Sequence, residues 1–305
     1  MTSQKATVPE MTVSVSVAMP TRGRSQFVDR AISSVLEQTF EDFELIILDG
    51  SDPADKSSIR KMARRDPRII FVDRGDIGLT AARKLGATLA KGRLFALMDS
   101  DDYWDRSRLQ IHVDVWNSHE IGLSWDRWAE ASSKSMNIQR QPVLPGLISP
   151  PRLAPMFYGG NFIHASSGIV ATKFAKTLGF PLMNILSSDW ILFMRASEYY
   201  SAYFIGETLS FKETSAPERI SDTEPNQYFF IENRLIWRWA FLNRPSIYGP
   251  AWARQKARQF LPKKLVNNLA GLWSEVRPTV DQRFHVTSDF FYKRGDSQCY
   301  PISAL

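Results

Sequence analysis

Arg93-Leu-Phe-Ala-Leu-Met-Asp-Ser-Asp-Asp102 joins an apolar run, Leu94 to Met98, to three carboxylates in four positions. So short a run, bounded by charge, reads as a strand buried on both faces. Before it, Gly78 to Lys91 reads as a helix with Leu79, Ala82, Leu85, Ala87 and Leu89 mostly apolar, ended by Gly92. Further upstream, Arg68-Ile-Ile-Phe-Val72 is a strand and Lys56 to Arg65 a basic, exposed helix. Phe43-Glu-Leu-Ile-Ile-Leu48 is a strand ended by the turn Asp49-Gly50-Ser51-Asp52. Ser25 caps a helix whose Phe27, Ala31, Ile32, Val35 and Leu36 fall at helical spacing, and Val13 to Met19 is a strand stopped at Pro20.

Four strand–helix alternations predict an α/β domain with a largely parallel central sheet flanked by helices. Ligands of such sheets bind beyond the carboxyl ends of the strands. Three of those ends carry polar clusters: Pro20-Thr21-Arg22, Asp49-Gly50-Ser51 and Asp99 to Asp102. Downstream, Arg106 to Asn117 reads as a helix, and five prolines make 141–158 irregular. Gly168 to Ala171 reads as a strand, Ser188 to Tyr200 as a helix, and Ala202 to Phe211 as a closing strand.

The composition narrows the class. The 305 residues are 44% hydrophobic and 23% charged, which excludes a disordered or fibrous chain. Cys299 is the only cysteine, so no disulfide forms within the chain. No signal peptide and no apolar run of membrane-spanning length is seen, so the expectation is a cytoplasmic protein, peripheral on the inner face of the membrane. The net charge of +6 is uneven: 26 basic and 27 acidic residues over 1–224, against 12 and 5 over 225–305. Residues 225–276 interleave Trp237, Trp239, Trp252 and Trp273 with arginines and lysines. This basic region is expected to be helical, and it either lies on an anionic membrane surface or packs on the body. No nucleic-acid partner is expected, since no recognised module or compact basic cluster occurs.

Three carboxylates in Asp99-Ser100-Asp101-Asp102 repel one another unless something positive compensates them. A hard divalent cation shared with substrate phosphates is one remedy. The competing reading is a solvated turn capping the next helix. The clusters at the other strand ends favour the cation.

In its motifs the chain resembles glycosyltransferase family 2. Val15-Ser-Val-Ala-Met-Pro-Thr-Arg22 resembles the family's opening strand and loop. Ser33 to Ser51, with Gln38-Thr39-Phe40 and Asp49-Gly50-Ser51, resembles its first helix, turn and second strand; Leu48 replaces a frequent Asp. Gly78-Leu-Thr-Ala-Ala-Arg83 and Lys91 to Asp102 resemble its Gly-x-x-x-Ala-Arg helix and Asp-x-Asp motif. The resemblance implies a GT-A fold and an inverting transfer from a nucleotide sugar, UDP-linked by family analogy, to a glycan or lipid-linked acceptor in cell-surface or exported polysaccharide synthesis. It implies a hexosyltransferase type and a Mn²⁺ or Mg²⁺ cofactor.

Residue by residue, it implies that Pro20, Thr21, Arg22, Asp49, Arg83, Asp99 and Ser100 hold the nucleotide sugar. Asp101 would ligate the metal. Pro181 to Arg195 resembles the acceptor-side segment, which makes Asp189 the catalytic base. Trp190 and His164 would stand on the acceptor side. Phe211-Lys-Glu-Thr214 occupies the place of an aromatic-Arg-x-His segment and lacks its histidine. The expected organisation is a flexible 1–12, a GT-A domain over 13–224 (a nucleotide-sugar half to 104, an acceptor half from 105), and the basic region 225–305.

Three other readings compete. A nucleotidyltransferase would need a Gly-rich loop with a Lys, and Thr21-Arg-Gly-Arg24 has one Gly and no Lys nearby. A dinucleotide oxidoreductase would need Gly-x-Gly-x-x-Gly after the first strand, which is absent. A catalytically inactive sugar-nucleotide binder or membrane-surface scaffold would have no use for the Asp99/Asp101 pair together with Asp189.

Overall fold

A computed structural model describes residues 14–23, 25–132, 134–181 and 185–216, with Ile236, Ala240, Arg244 and 246–248. The first half alternates as expected: β1 (Val15–Thr21), α1 (Ser25–Leu36), β2 (Phe43–Asp49), α2 (Pro53–Ala63), β3 (Ile69–Asp73), α3 (Leu79–Leu89) and β4 (Leu94–Leu97). The second half has β5 (Tyr103–Trp104), α4 (Arg108–Ser118), β6 (Leu123–Ala131), β7 (Met136–Ile138), β8 (Gly146–Ile148) and α5 (Pro150–Leu153). It ends with β9 (Gly168–Ala171), α6 (Thr172–Phe174), α7 (Ser188–Tyr199) and β10 (Ala202–Glu213).

One mixed sheet holds all ten strands of the described residues, in the order β3-β2-β1-β4-β9-β6-β10-β5, with β7 on β6 and β8 on β10. The half made by β3, β2, β1 and β4 is wholly parallel. β9 runs antiparallel between β4 and β6, while β6 and β10 are parallel to each other. Every residue of β1, β2 and β4 is buried, which explains their unbroken apolar character.

Sequence reasoning missed β6. Its Asp126, Arg127 and Glu130 disguise it as surface. Asp126 is tolerated at full burial because the Arg108 Nε donates to its Oδ2 at 2.7 Å and the His112 Nε2 lies 3.0 Å away. Arg108 also stacks its guanidinium 4.1 Å from the Trp104 ring centre.

The basic C-terminal region lies mostly outside the described residues. Among those that are described, Arg244 and Tyr248 touch α7. Ile236, Ala240 and Tyr248 are buried, and the Tyr248 hydroxyl donates to the Glu198 carboxylate at 2.6 Å. Arg244 lies 3.6 Å from the same carboxylate. No helix among the described residues is long and apolar enough to cross a membrane.

Candidate active site

The carboxyl ends of β1, β2 and β4 meet at one edge of the sheet, because parallel strands in register must end together. Thr21 and Asp49 are register partners there. Both are buried, and among the described residues neither Thr21 Oγ1 nor Asp49 Oδ2 has a hydrogen-bond partner. The other Asp49 oxygen accepts from the Ser51 backbone N–H at 3.0 Å and its hydroxyl at 2.5 Å. Two buried groups thus stand unmet side by side, one able to donate and one to accept. Pro20 is buried in β1 beside them, whereas Arg22 is exposed and pairs with Asp76 at 3.2 Å.

At the end of β4 the acidic turn is tied down by α1. Arg30 donates to the Asp101 carbonyl at 3.0 Å, pairs with Glu213 at 2.6 Å and covers the Tyr103 ring at 4.4 Å. Ser100 and Asp102 are buried, while Asp99 and Asp101 are half-buried. Asp102 accepts from the Ser166 hydroxyl at 2.5 Å and from the Glu213 N–H at 3.2 Å, and meets the His164 Nε2 at 2.6 Å. The Ser166 Oγ in turn accepts from the Asp99 N–H at 3.0 Å.

Ligand atoms of Asp99, Asp102 and His164 lie within 4.8 Å of one another, two carboxylates and an imidazole that together suit a divalent cation. Asp101, the ligand expected from the resemblance, is not one of these three. His164, expected on the acceptor side, packs on Asp102, and its ring lies tilted against Trp128 with centroids 4.9 Å apart.

Arg83 joins the two halves. It is almost completely buried, and its two terminal nitrogens reach Asp99 at 3.1 Å and Asp189 at 3.1 Å, with Ser188 Oγ at 3.0 Å. The second Asp189 oxygen accepts from the Asn161 amide at 3.0 Å. Asn161 is itself set by accepting from the Ile163 N–H at 3.2 Å. The base candidate is thus gripped from both sides at the start of α7. The turn before it is fixed by Thr80 of α3, whose hydroxyl donates to the Ile185 carbonyl at 2.5 Å and accepts from its N–H at 2.9 Å.

These contacts set the charges. Burial alone would lower the Arg83 pKa, but Asp189 and Asp99 outweigh it and hold the guanidinium above its usual range. Burial raises the Asp99 carboxyl, yet Arg83 and His164 hold it below the usual carboxylate range. For His164, burial favours the neutral ring, and Asp102 reverses this and raises its pKa.

Trp190, placed on the acceptor side by the resemblance although a Trp in the first turn of an apolar helix is more often core, is core: only 3% of it is exposed and it belongs to the hydrophobic cluster. The apolar character of α7, with Ile191, Leu192, Phe193 and Met194 all buried, turns it inward and leaves no face for a sugar. Sequence reasoning missed Asn161 and Ser166 as site residues. Both stand with His164 in the 159–167 stretch, where the resemblance puts acceptor-side residues, but a lone Asn or Ser in a loop reads as turn chemistry.

The sequence and fold have known counterparts. An uncharacterized glycosyltransferase of Rickettsia felis is 30% identical over 125 residues, 41% of this chain and 21% of that protein. The first curated relatives are longer, and the chain spans about a fifth of the Rickettsia felis protein's length. The Escherichia coli UDP-Glc:alpha-D-GlcNAc-diphosphoundecaprenol beta-1,3-glucosyltransferase WfgD is 28% identical over 123 residues, 40% of this chain and 48% of that protein. Among solved structures, residues 1–349 of TarS from S. aureus, in complex with UDP-GlcNAc, superpose with a TM-score of 0.62 at 15% identity. That match covers 88% of this chain and 91% of TarS 1–349, and it shows the shared fold. The sequence model described as Glycosyl transferase family 2 matches residues 16–175, more than half of the chain. The chain therefore belongs to glycosyltransferase family 2.

Proposed function

We propose that the protein is an inverting, divalent-metal-dependent glycosyltransferase that moves a sugar from a UDP-linked donor to a lipid-linked glycan acceptor during cell-surface polysaccharide synthesis. It would work peripherally at the inner face of the membrane, to which the basic region 225–305 is suited. The observation that carries this reading is the Arg83 guanidinium, which holds Asp99 and Asp189 together at 3.1 Å each. A donor-side carboxylate and an acceptor-side carboxylate thereby share one small space. The name of the Escherichia coli relative, which gives a UDP-Glc donor and a diphosphoundecaprenol-linked acceptor, supports the substrate classes.

In this reading Thr21 and Asp49 take the base, and Asp99 and Ser100 the ribose and phosphate side. Asp101, or the set of Asp99, Asp102 and His164, would hold Mn²⁺ or Mg²⁺. The ion supplies charge neutralisation for the leaving nucleoside diphosphate. Arg83 adds a fixed positive charge in a site shielded from water. Asp189 removes the proton from the acceptor hydroxyl as its oxygen bonds to the anomeric carbon and the bond to the diphosphate breaks on the opposite face. Although both Asp189 oxygens already accept hydrogen bonds, each keeps a second lone pair for that proton. Asn161 and Arg83 orient the carboxylate for the transfer.

Thermal stabilisation by UDP-sugars, with and without Mn²⁺, tests the donor side. Asp101→Ala should abolish the Mn²⁺-dependent part. If that part survives Asp101→Ala but is lost in His164→Ala, the ligand set is Asp99, Asp102 and His164. Asp189→Asn should lower transfer by about 10²–10⁴-fold, the usual worth of a positioned base, while donor affinity stays unchanged. Normal turnover with collapsed donor affinity in Asp189→Asn would reassign it to the donor site.

A further inference from the structure

β6 carries a cation that the site above does not use. Arg127 is half-buried, and its Nε is shut off from water without a hydrogen-bond partner. Its guanidinium lies 5.9 Å from the Phe204 ring centre, and among the described residues no carboxylate pairs with it. From residue 131 to residue 188 the sequence contains no Asp or Glu, so the segment that lines the acceptor side supplies no counter-charge. A cationic donor left unmet and partly desolvated is costly, which asks for a ligand that meets it.

Register and pleat place Arg127 at the site. Ala96 of β4 and Ser124 of β6 are both partners of Ile169 in β9, and β4 and β6 run the same way. Asp99 and Arg127, each three residues further on, therefore come level at the same sheet edge, two strand spacings or about 10 Å apart. The face is fixed as well. A Cβ on Gly168 would run into the Phe193 ring of α7, so Gly168 and its partner Trp125 face α7, and Arg127, two residues after Trp125, faces the same way. Trp125 stacks on Phe204 at 5.3 Å, the ring that Arg127 also covers. This is the face of Arg83 and Asp189. Asn161, which grips Asp189, is followed by Phe162, which packs edge-on to Trp125 at 6.0 Å.

We propose that Arg127 binds the diphosphate of the acceptor. The inference rests on the lipid-linked acceptor reading and adds the side chain that recognises its phosphates. The donor diphosphate belongs to the Asp99 end of the edge, where Arg83 already stands, so an unpaired cation two strands away answers a second anion. In a sugar–diphospholipid the diphosphate follows the hexose that presents its hydroxyl to Asp189. The planar fork of an arginine suits two phosphate oxygens, and packing on Phe204 orients it beforehand. A glycan without the diphosphate would leave Arg127 unmet, which makes this residue a source of acceptor specificity.

The test uses the full chain, UDP and two probes: alpha-D-GlcNAc joined to a short prenyl chain through a diphosphate, and the same pair joined through an ether. With UDP saturating the donor side, wild-type protein should bind the diphosphate probe about 10- to 100-fold more tightly than the ether, the usual worth of hydrogen bonds between charged groups. Arg127→Gln should bring the diphosphate probe down to the level of the ether while ether and UDP binding stay unchanged. In turnover it should raise the KM for the diphosphate acceptor by a similar factor and leave kcat near wild type. Arg127→Lys keeps the charge and the apolar stem but loses the fork. It should fall between the two, and it decides the matter if the glutamine variant does not fold. Equal diphosphate binding by wild type and variants, with transfer to that probe intact, would overturn the inference and leave the lipid-linked acceptor standing. Equal losses for diphosphate and ether would make Arg127 structural, and lost UDP binding would give it to the donor diphosphate; either result overturns the inference. Wild-type protein that prefers neither probe would overturn it too, and one that also transfers to neither would take the lipid-linked reading with it.

Discussion

At the scale of single residues, the buried network under the site sets a measurable pH response. His112 is fully buried, its Nδ1 2.8 Å from Ser124 Oγ and its Nε2 3.0 Å from Asp126. Burial, reinforced by the Arg108 charge, pushes its pKa down to about 4 despite the Asp126 carboxylate. In the unfolded chain the same ring titrates near ~6.5. Between those two values the unfolded state binds more protons, so stability falls as pH falls through that window. His112 is then expected to contribute about 3 kcal/mol of stability at neutral pH that is gone by about pH 4. Denaturant midpoints of the wild type and His112→Gln, followed from pH 7 to pH 4, check this. The wild-type curve should be the steeper, and parallel curves would mean that the His112 ring titrates alike in the folded and unfolded chain.

At the scale of elements, the pairing of α3 with α7 aligns the two halves of the site. Thr80 in the first turn of α3 satisfies both backbone groups of Ile185, just ahead of α7, and Arg83 one turn later reaches Ser188 and Asp189 at its start. α3 can lie this close to the sheet because Gly86 has no Cβ, which would sit 2.7 Å from the Ala18 Cβ. Thr80→Val keeps the shape but strands a buried N–H and a buried C=O. It should cost about 2–3 kcal/mol. It should also lower turnover about tenfold, because Asp189 loses its alignment while the nucleotide end of the sheet is untouched. Chemical denaturation and steady-state kinetics of the same variant separate the two effects. Lost stability with unchanged kcat would show that the α7 start is positioned by Arg83 alone.

At the scale of the whole molecule, the boundary proposed at residue 224 meets the contacts made further along. Ile236, Ala240 and Tyr248 are buried, and Tyr248 and Arg244 both engage Glu198 of α7. Truncation after 224 would uncover α7 and leave Glu198 without these two partners, whereas truncation after 249 keeps them. The 1–224 chain should therefore be less stable than 1–249 by on the order of 3 kcal/mol, read from denaturant midpoints. Equal midpoints would make 225–305 a separate attachment and 224 a true boundary.

The sequence alone determined the parallel half of the sheet and the family. Continuous apolar strands, helical spacing and strand-end polar clusters are local patterns, and Asp49, Arg83, Asp99 and Asp189 stand in ordered motifs around them. β6 was not legible, because its Asp126 is made compatible with burial only by Arg108 and His112 on another element. Nor were Asn161, Ser166 and the placement of His164 on Asp102, which depend on β9 running antiparallel beside β4 and bringing the 160–167 loop over the acidic turn. Tertiary structure also decided that Trp190 is core and that one buried arginine spans both carboxylates. Local periodicity reports which residues can be buried together within an element. Which charges meet across elements is decided by long-range packing, because each buried charge is stable only when a distant partner compensates it.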